Sequence, residues 1–144
     1  MFDGRRGPRA SGALAVSRAR GVYHRAVGSP AESLTRERCV ACRRDAPQAT
    51  AAEIAELHPQ VPAWELVELD GVRRLRRTFP VADFAEALAL TTRIGELAER
   101  EGHHPALLTE WGRVTVSWWT HKIRGLHRND FVMAAKTDEL YDRA

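Results

Sequence analysis

Residues 80–102 place the strongest constraint on the fold. Phe84, Ala87, Leu88, Thr91, Ile94, Leu97 and Ala98 recur at helical spacing and line one stripe of a helix running through Arg100. Pro80 ends the preceding segment and opens this helix. Gly102 stands at the position just past the helix end, where a left-handed backbone closes it. A helix with a single apolar stripe needs a layer to bury it against, and the flanking segments read as strands. Trp64-Glu-Leu-Val-Glu-Leu69 and Val72–Phe79 are joined by Asp70-Gly71, a pair suited to the positive φ angles of a two-residue hairpin. The second strand carries Arg73, Arg74, Arg76 and Arg77, expected mostly on its outward side. Leu107–Trp111 and Val114–Trp119 form a second strand pair across Gly112-Arg113, the latter strand rich in β-branched and aromatic residues.

Two further helices complete the order. Thr50-Ala-Ala-Glu53 has capping-box spacing, and His58-Pro59 closes the short helix it starts. Asn129–Tyr141, with Phe131, Met133, Ala134, Ala135 and Leu140, reads as a closing helix. The order α-β-β-α-β-β-α predicts an α+β fold, a four-stranded antiparallel sheet with helices packed on one face. No apolar run approaches the roughly 20 residues that span a bilayer. The opening Met-Phe-Asp-Gly-Arg-Arg lacks the apolar core of a secretory signal. A cytoplasmic protein without membrane association is expected.

Charge is unevenly distributed along the 144 residues. Residues 1–38 hold eight arginines against three acids, a net of +5, so the remainder carries −2 of the chain's +3. The folded part is therefore slightly acidic and offers no electrostatic argument for binding nucleic acid. Residues 1–38 show no sustained period and are expected to form a disordered basic extension to a domain spanning 39–144. Both cysteines lie together as Cys39-Val40-Ala41-Cys42. A zinc site would need two more ligands at finger spacing, and neither His24 nor His58 provides it. A redox pair would open a helix after a strand, and Pro47 with its polar neighbours argues against that, leaving a structural or incidental role.

Chemistry concentrates between Glu99 and Asp130. This stretch holds the adjacent His103 and His104, then His121 after the last strand, with acids at both ends. Three of the four tryptophans also fall here, and core or sheet-surface packing accounts for most of them. Glu99 lies one helical turn before His103. His121 shares the strand parity of Thr115, Ser117 and Trp119, and the strand pair can return it towards the histidine pair. A loop histidine is by default a solvated surface residue, and Asp130 has a simple use as a first-turn helix acid. The spacing gives no H-x-H or H-x-x-x-H, and adjacent histidines point apart in most backbones, so no metal is expected. Imidazoles that converge without a metal are suited to moving protons near neutral pH.

The string Gly102-His-His-Pro-Ala-Leu-Leu-Thr-Glu-Trp111, followed by Thr120-His121, Gly125-Leu126 and Asp130, resembles the pterin-4a-carbinolamine dehydratase family, in its bacterial branch found beside phenylalanine hydroxylase. The resemblance runs from about Cys39 to Asp138 and includes C-x-A-C-R-x-D-A-P, the Trp64 strand and F-x-x-A-L-A-x-T. It implies the fold already read from periodicity. It also implies loss of water from 4a-hydroxytetrahydrobiopterin to give quinonoid dihydropterin, in the recycling of tetrahydropterin for aromatic amino acid hydroxylation. By the family motif His103, His104 and His121 match the three active-site histidines, the adjacent pair serving acid catalysis and the third mainly substrate binding. Glu99 and Asp130 match acids that line or support the pocket, with Thr120 beside His121. Many animal members continue H-H-P-E-W, whereas Ala106 and Leu107 stand here, so Trp111 or Trp119 is expected to supply any aromatic contact to the pterin. The pterin is the substrate and no cofactor is implied. Homodimers or homotetramers are implied, with phenylalanine hydroxylase as a functional partner. The family also implies an alternative, a non-enzymatic assembly or transcriptional co-regulatory factor on the same fold; the retained histidines favour the enzyme.

Overall fold

The computed structural model describes residues 30–144. Four strands form one antiparallel sheet in the order β1-β2-β4-β3, with β1 at Glu65–Leu69, β2 at Val72–Pro80, β3 at Ala106–Glu110 and β4 at Arg113–Trp118. Asp70 and Gly71 both take positive φ, 53° and 74°, as a tight hairpin requires. The pairing Leu69↔Val72 fixes the β1–β2 register. The sheet core runs through Leu75, Phe79, Val114, Val116 and Trp118, all wholly buried. Thr78 and Thr115 pair on the opposite face.

The α+β architecture and the α-β-β-α-β-β-α order appear as the sequence predicts, with one addition. Pro30–Arg36 forms a helix, α1, inside the stretch read as a disordered extension, and it packs on the last helix, with Leu34 fully buried. The rest of that extension, residues 1–29, lies outside the described residues. Heptad-scale periodicity cannot reveal a seven-residue helix with one buried anchor, because a single apolar residue has no period. Helix α2, Ala51–Leu57, is started by the predicted capping box: the Glu53 amide donates to Thr50 Oγ1 at 3.2 Å and the Thr50 amide donates to Glu53 Oε2 at 2.7 Å.

Helix α3 spans Phe84–Glu101 and ends at Gly102 with φ 63°. It is capped by Asp83 rather than opened by Pro80, which instead ends β2 in register with Arg113. The buried face consists of Ala87, Leu90, Ile94, Leu97 and Ala98, while Phe84 and Leu88 are about half exposed. The stripe is thus rotated from the one read in the sequence, because Leu90 sits close enough to the same face to replace them and the sheet covers only one side. Helix α4, Arg128–Asp142, packs on β2, β4, α1 and α3 and buries eight residues, Asn129 to Ala135 and Thr137. Arg77 departs from the outward set: it points into the core side, bonding Asp138 at 2.5 Å and lying over Phe79. Burial pushes the Asp138 carboxyl up from its ordinary range, against the hydrogen bonds from Trp64 and Arg77 that favour its charge. No helix among the described residues is long and apolar enough to cross a membrane.

Candidate active site

The site lies where α3, the end of β4 and the start of α4 meet. At the end of α3 the His103 amide reaches back to the Ala98 carbonyl at 3.1 Å across Gly102, a closure that only a left-handed residue permits without strain. Pro105 then disfavours a helical backbone at His104, and the chain leaves the helix without regular structure until β3. Successive side chains diverge: His103 is 5% exposed, whereas the His104 side chain is 57% exposed. The inward histidine stacks on Trp118, with centroids 5.7 Å apart and planes within 12°.

Each histidine has its own carboxylate, both on Nε2. His103 Nε2 lies 2.6 Å from Asp130 Oδ1, and His104 Nε2 lies 2.6 Å from Glu99 Oε1. Asp130 is fully buried and accepts two further hydrogen bonds on its other oxygen, from Thr120 Oγ1 at 2.8 Å and the His127 amide at 2.9 Å. Those donors satisfy a carboxylate that would otherwise be costly to bury. The helix start that places it is also local chemistry: His127 caps α4, its Nδ1 accepting from the Asn129 amide. A carboxylate is a pure acceptor, so it assigns the hydrogen of each imidazole to Nε2 and leaves Nδ1 for exchange.

His121 arrives by a tighter path than strand parity suggests. Strand β4 ends at Trp118, and residues 120–125 make a turn closed by a Thr120–Gly125 bridge, with His121 opening a 3-10 turn. Its Nε2 lies 3.1 Å from the His104 carbonyl, and its ring stacks on Trp119 at 4.3 Å. Arg74 in turn lies over Trp119, 4.0 Å from the ring centre. His103, His104 and His121 thus edge one cleft of about 580 Å³, with Thr120 in its wall. Trp111 does not join them. It is 74% exposed in the β3–β4 turn, at the far end of the hairpin from His104 and His121. The strand period places those two ends about five residues, roughly 17 Å, apart.

Four residues with thiol or charged side chains at the cleft lie outside the candidate set read from the sequence. Cys39, Cys42, Glu101 and Lys122 line it, so the C-x-x-C segment is a wall of the site. Glu101 accepts from the Cys39 amide at 3.2 Å and from Lys136 Nζ at 3.1 Å; burial alone would raise its carboxyl, but these two donors hold it below the ordinary range. Burial pushes the Cys39 thiol up to about 12, with the charges of Glu101 and Asp130 adding to the effect. The sequence signal for them is C-x-A-C-R-x-D-A-P, a motif whose residue types by themselves imply no chemistry at this cleft. Among the described residues no three His, Cys, Asp or Glu side chains converge as metal ligands. The cleft combines three imidazoles, two of them carboxylate-paired, which suits it to donate one proton and accept another on a bound small molecule.

Residues 47–140 match the family described as pterin 4 alpha carbinolamine dehydratase. A Gloeobacter violaceus protein whose name assigns it to the pterin-4-alpha-carbinolamine dehydratases is 69% identical over 108 residues, covering 75% of this chain and 93% of its own. A similarly named protein of Nitrosococcus oceani is 62% identical over 109 residues, covering 76% of this chain and 96% of its own. Among solved structures, a transcriptional coactivator/pterin dehydratase from Brucella melitensis superposes with a TM-score of 0.60 at 28% identity, covering 66% of this chain and 99% of that one.

Proposed function

The chain belongs to the pterin-4-alpha-carbinolamine dehydratase family, and on that premise we propose that its cleft dehydrates 4a-hydroxytetrahydrobiopterin by histidine general acid–base catalysis. The observation that carries the mechanism is the pair of imidazole–carboxylate couples, one buried and one exposed, on consecutive residues at the cleft. Dehydration of a carbinolamine needs a proton delivered to the departing hydroxyl and a proton removed from the neighbouring ring nitrogen. As the N–H bond breaks, its electron pair forms the C=N bond, the C–O bond breaks, and the oxygen leaves as water. The reaction is redox-neutral, and the pterin is substrate, so no further cofactor enters the proposal.

The adjacent pair is assigned the proton transfers, with His121 as the group that binds the substrate. His104 stands at the open side of the cleft, held by Glu99, and gives the proton to the leaving hydroxyl. His103, held from behind by Asp130, serves the second transfer through Nδ1. The flat stack of His121 on Trp119 offers an edge against which a planar pterin can lie. Asp130 sets the tautomer in which His103 accepts at Nδ1, and Glu99 faces the His104 ring that, as imidazolium, donates from Nδ1. Recycling of tetrahydropterin for phenylalanine hydroxylase, in the cytoplasm and as a homodimer or homotetramer, completes the proposal. The coactivator description of the Brucella relative supports a second use of the same fold; three retained histidines with intact partners favour catalysis here.

The test is His104→Ala assayed on carbinolamine generated enzymatically in the cuvette, since the uncatalysed dehydration is appreciable. Turnover above background should fall about 10²–10⁴-fold, the range of a lost general acid, with pterin binding weakened far less. Wild-type turnover in this variant would remove the mechanism.

A further inference from the structure

The mechanism leaves one contact at its centre unused. His103 Nε2 is committed to Asp130, and its other nitrogen, Nδ1, faces the thiol of Cys42 at 3.8 Å. Cys42 belongs to an irregular segment that is tied down on both sides of the cleft. The Cys39 amide donates to Glu101, and Val40 exchanges two hydrogen bonds with the Asn129 side chain, at 3.1 and 2.8 Å. Lys122 Nζ donates to the Cys42 carbonyl at 3.0 Å, and the Ala49 amide donates to the Leu126 carbonyl at 2.7 Å. The main chain is thereby fixed, and the sulfur is fixed again by a bond from Asn129 Nδ2 at 3.3 Å.

We propose that Cys42 is a positioning residue for His103, holding Nδ1 through its thiol while Asp130 holds Nε2. This inference rests on the role given above to His103. Because the sulfur already accepts from Asn129, its one hydrogen is left for an acceptor, and the two within reach are the Val40 carbonyl at 3.9 Å and His103 Nδ1 at 3.8 Å. With the ring neutral, the S–H donates to Nδ1. With the ring protonated, the roles reverse and Nδ1–H donates to sulfur. A thiol is both weak donor and weak acceptor, so it serves both states without the ring turning. A stronger partner would compete with substrate for the nitrogen that must exchange a proton. The long S···N separation suits a group that yields Nδ1 when the substrate arrives. The second cysteine is a poor substitute: Cys39 turns its sulfur towards the Asn129 carbonyl at 4.0 Å, and burial pushes its thiol up to about 12.

Three variants test this in the full chain. Cys42→Ala and the near-isosteric Cys42→Val remove the bond and should lower kcat about 5–10-fold, the scale of one neutral hydrogen bond, with KM changed less than about twofold. Cys42→Ser restores a group that both donates and accepts, and should return kcat to within about twofold of wild type. Wild-type kcat in the Ala and Val variants, or a Ser variant as impaired as Ala, overturns the proposal. So does an equal loss in kcat and KM across all three, which is the mark of a packing role. His103→Gln run alongside separates the two levels. If it is inactive while Cys42 variants are normal, only the positioning role falls. If it turns over as wild type, the role given to His103 falls first.

Discussion

Replacing Asp130 with asparagine keeps the shape of the site and changes only which groups can donate. The carboxylate accepts three hydrogen bonds, one from His103 on Oδ1 and two from Thr120 and the His127 amide on Oδ2. Asparagine has two orientations. With its NH₂ in the Oδ2 position it opposes the His127 N–H, donor against donor, and the Thr120 hydroxyl must turn to accept. With its NH₂ in the Oδ1 position, the carbonyl keeps both Oδ2 bonds, but His103 must then accept on Nε2 and carry its hydrogen on Nδ1. The second orientation avoids a buried unsatisfied amide, worth about 1–3 kcal/mol. It therefore dominates by about 5- to 150-fold at 1.4 kcal/mol per decade, and it puts His103 in the wrong tautomer for exchange at Nδ1. Turnover should fall by the same factor. Because every group stays bonded in the dominant orientation, the urea midpoint should move little, whereas Asp130→Ala strands three donors and should be strongly destabilised. Steady-state assay on enzymatically generated carbinolamine, urea denaturation, and side-chain ¹⁵N NMR of His103 measure the three parts. An Asn variant with full turnover, or one that retains the Nε2–H tautomer while losing activity, refutes the reasoning.

Burial outside the reacting pair leads to three further outcomes. Leu34→Ala empties a fully buried site between α1 and α4 and should cost about 2–5 kcal/mol in urea denaturation; a change within error would detach α1 from the domain. Cys39, whose thiol is pushed up to about 12, should be alkylated far more slowly at pH 8 than a free thiol in a Cys42→Ser background, read by mass spectrometry. The same raised value has a signed consequence for folding. The native state holds this proton more tightly, so its contribution is intact below the thiol value of the unfolded chain and is lost as pH rises towards 12. A Cys39→Ala variant should lose that part of the alkaline decline in stability, and an unchanged decline would count against it.

Particular residues show why some of the fold was legible and some was not. The Thr50–Glu53 capping box, the Asp70-Gly71 turn and the Gly102 helix end are all local, each satisfied by atoms within a few residues, so residue types suffice to read them. The rotation of the α3 stripe from Phe84 and Leu88 to Leu90 depends on which side the sheet covers, a fact held by residues far along the chain. Arg77 appears outward by composition and turns inward because Asp138, sixty-one residues away, offers a partner. Trp111 looks like a site residue by proximity in sequence, yet its turn carries it to the other end of the hairpin.

By itself, the sequence determined the element order, the antiparallel strand pairs and the placing of three histidines and two acids near element ends, because period, turn chemistry and capping are short-range properties. Only the tertiary structure decided that Asp130 serves His103 while Glu99 serves His104, that one couple is buried and the other exposed, and that the Cys39–Cys42 segment walls the cleft. The side-chain contacts of His103 to Asp130 and to Cys42 join residues 27 and 61 positions apart. Their directions are set by packed helices and by hydrogen bonds to Asn129 and Thr120, which no local pattern in the chain can specify.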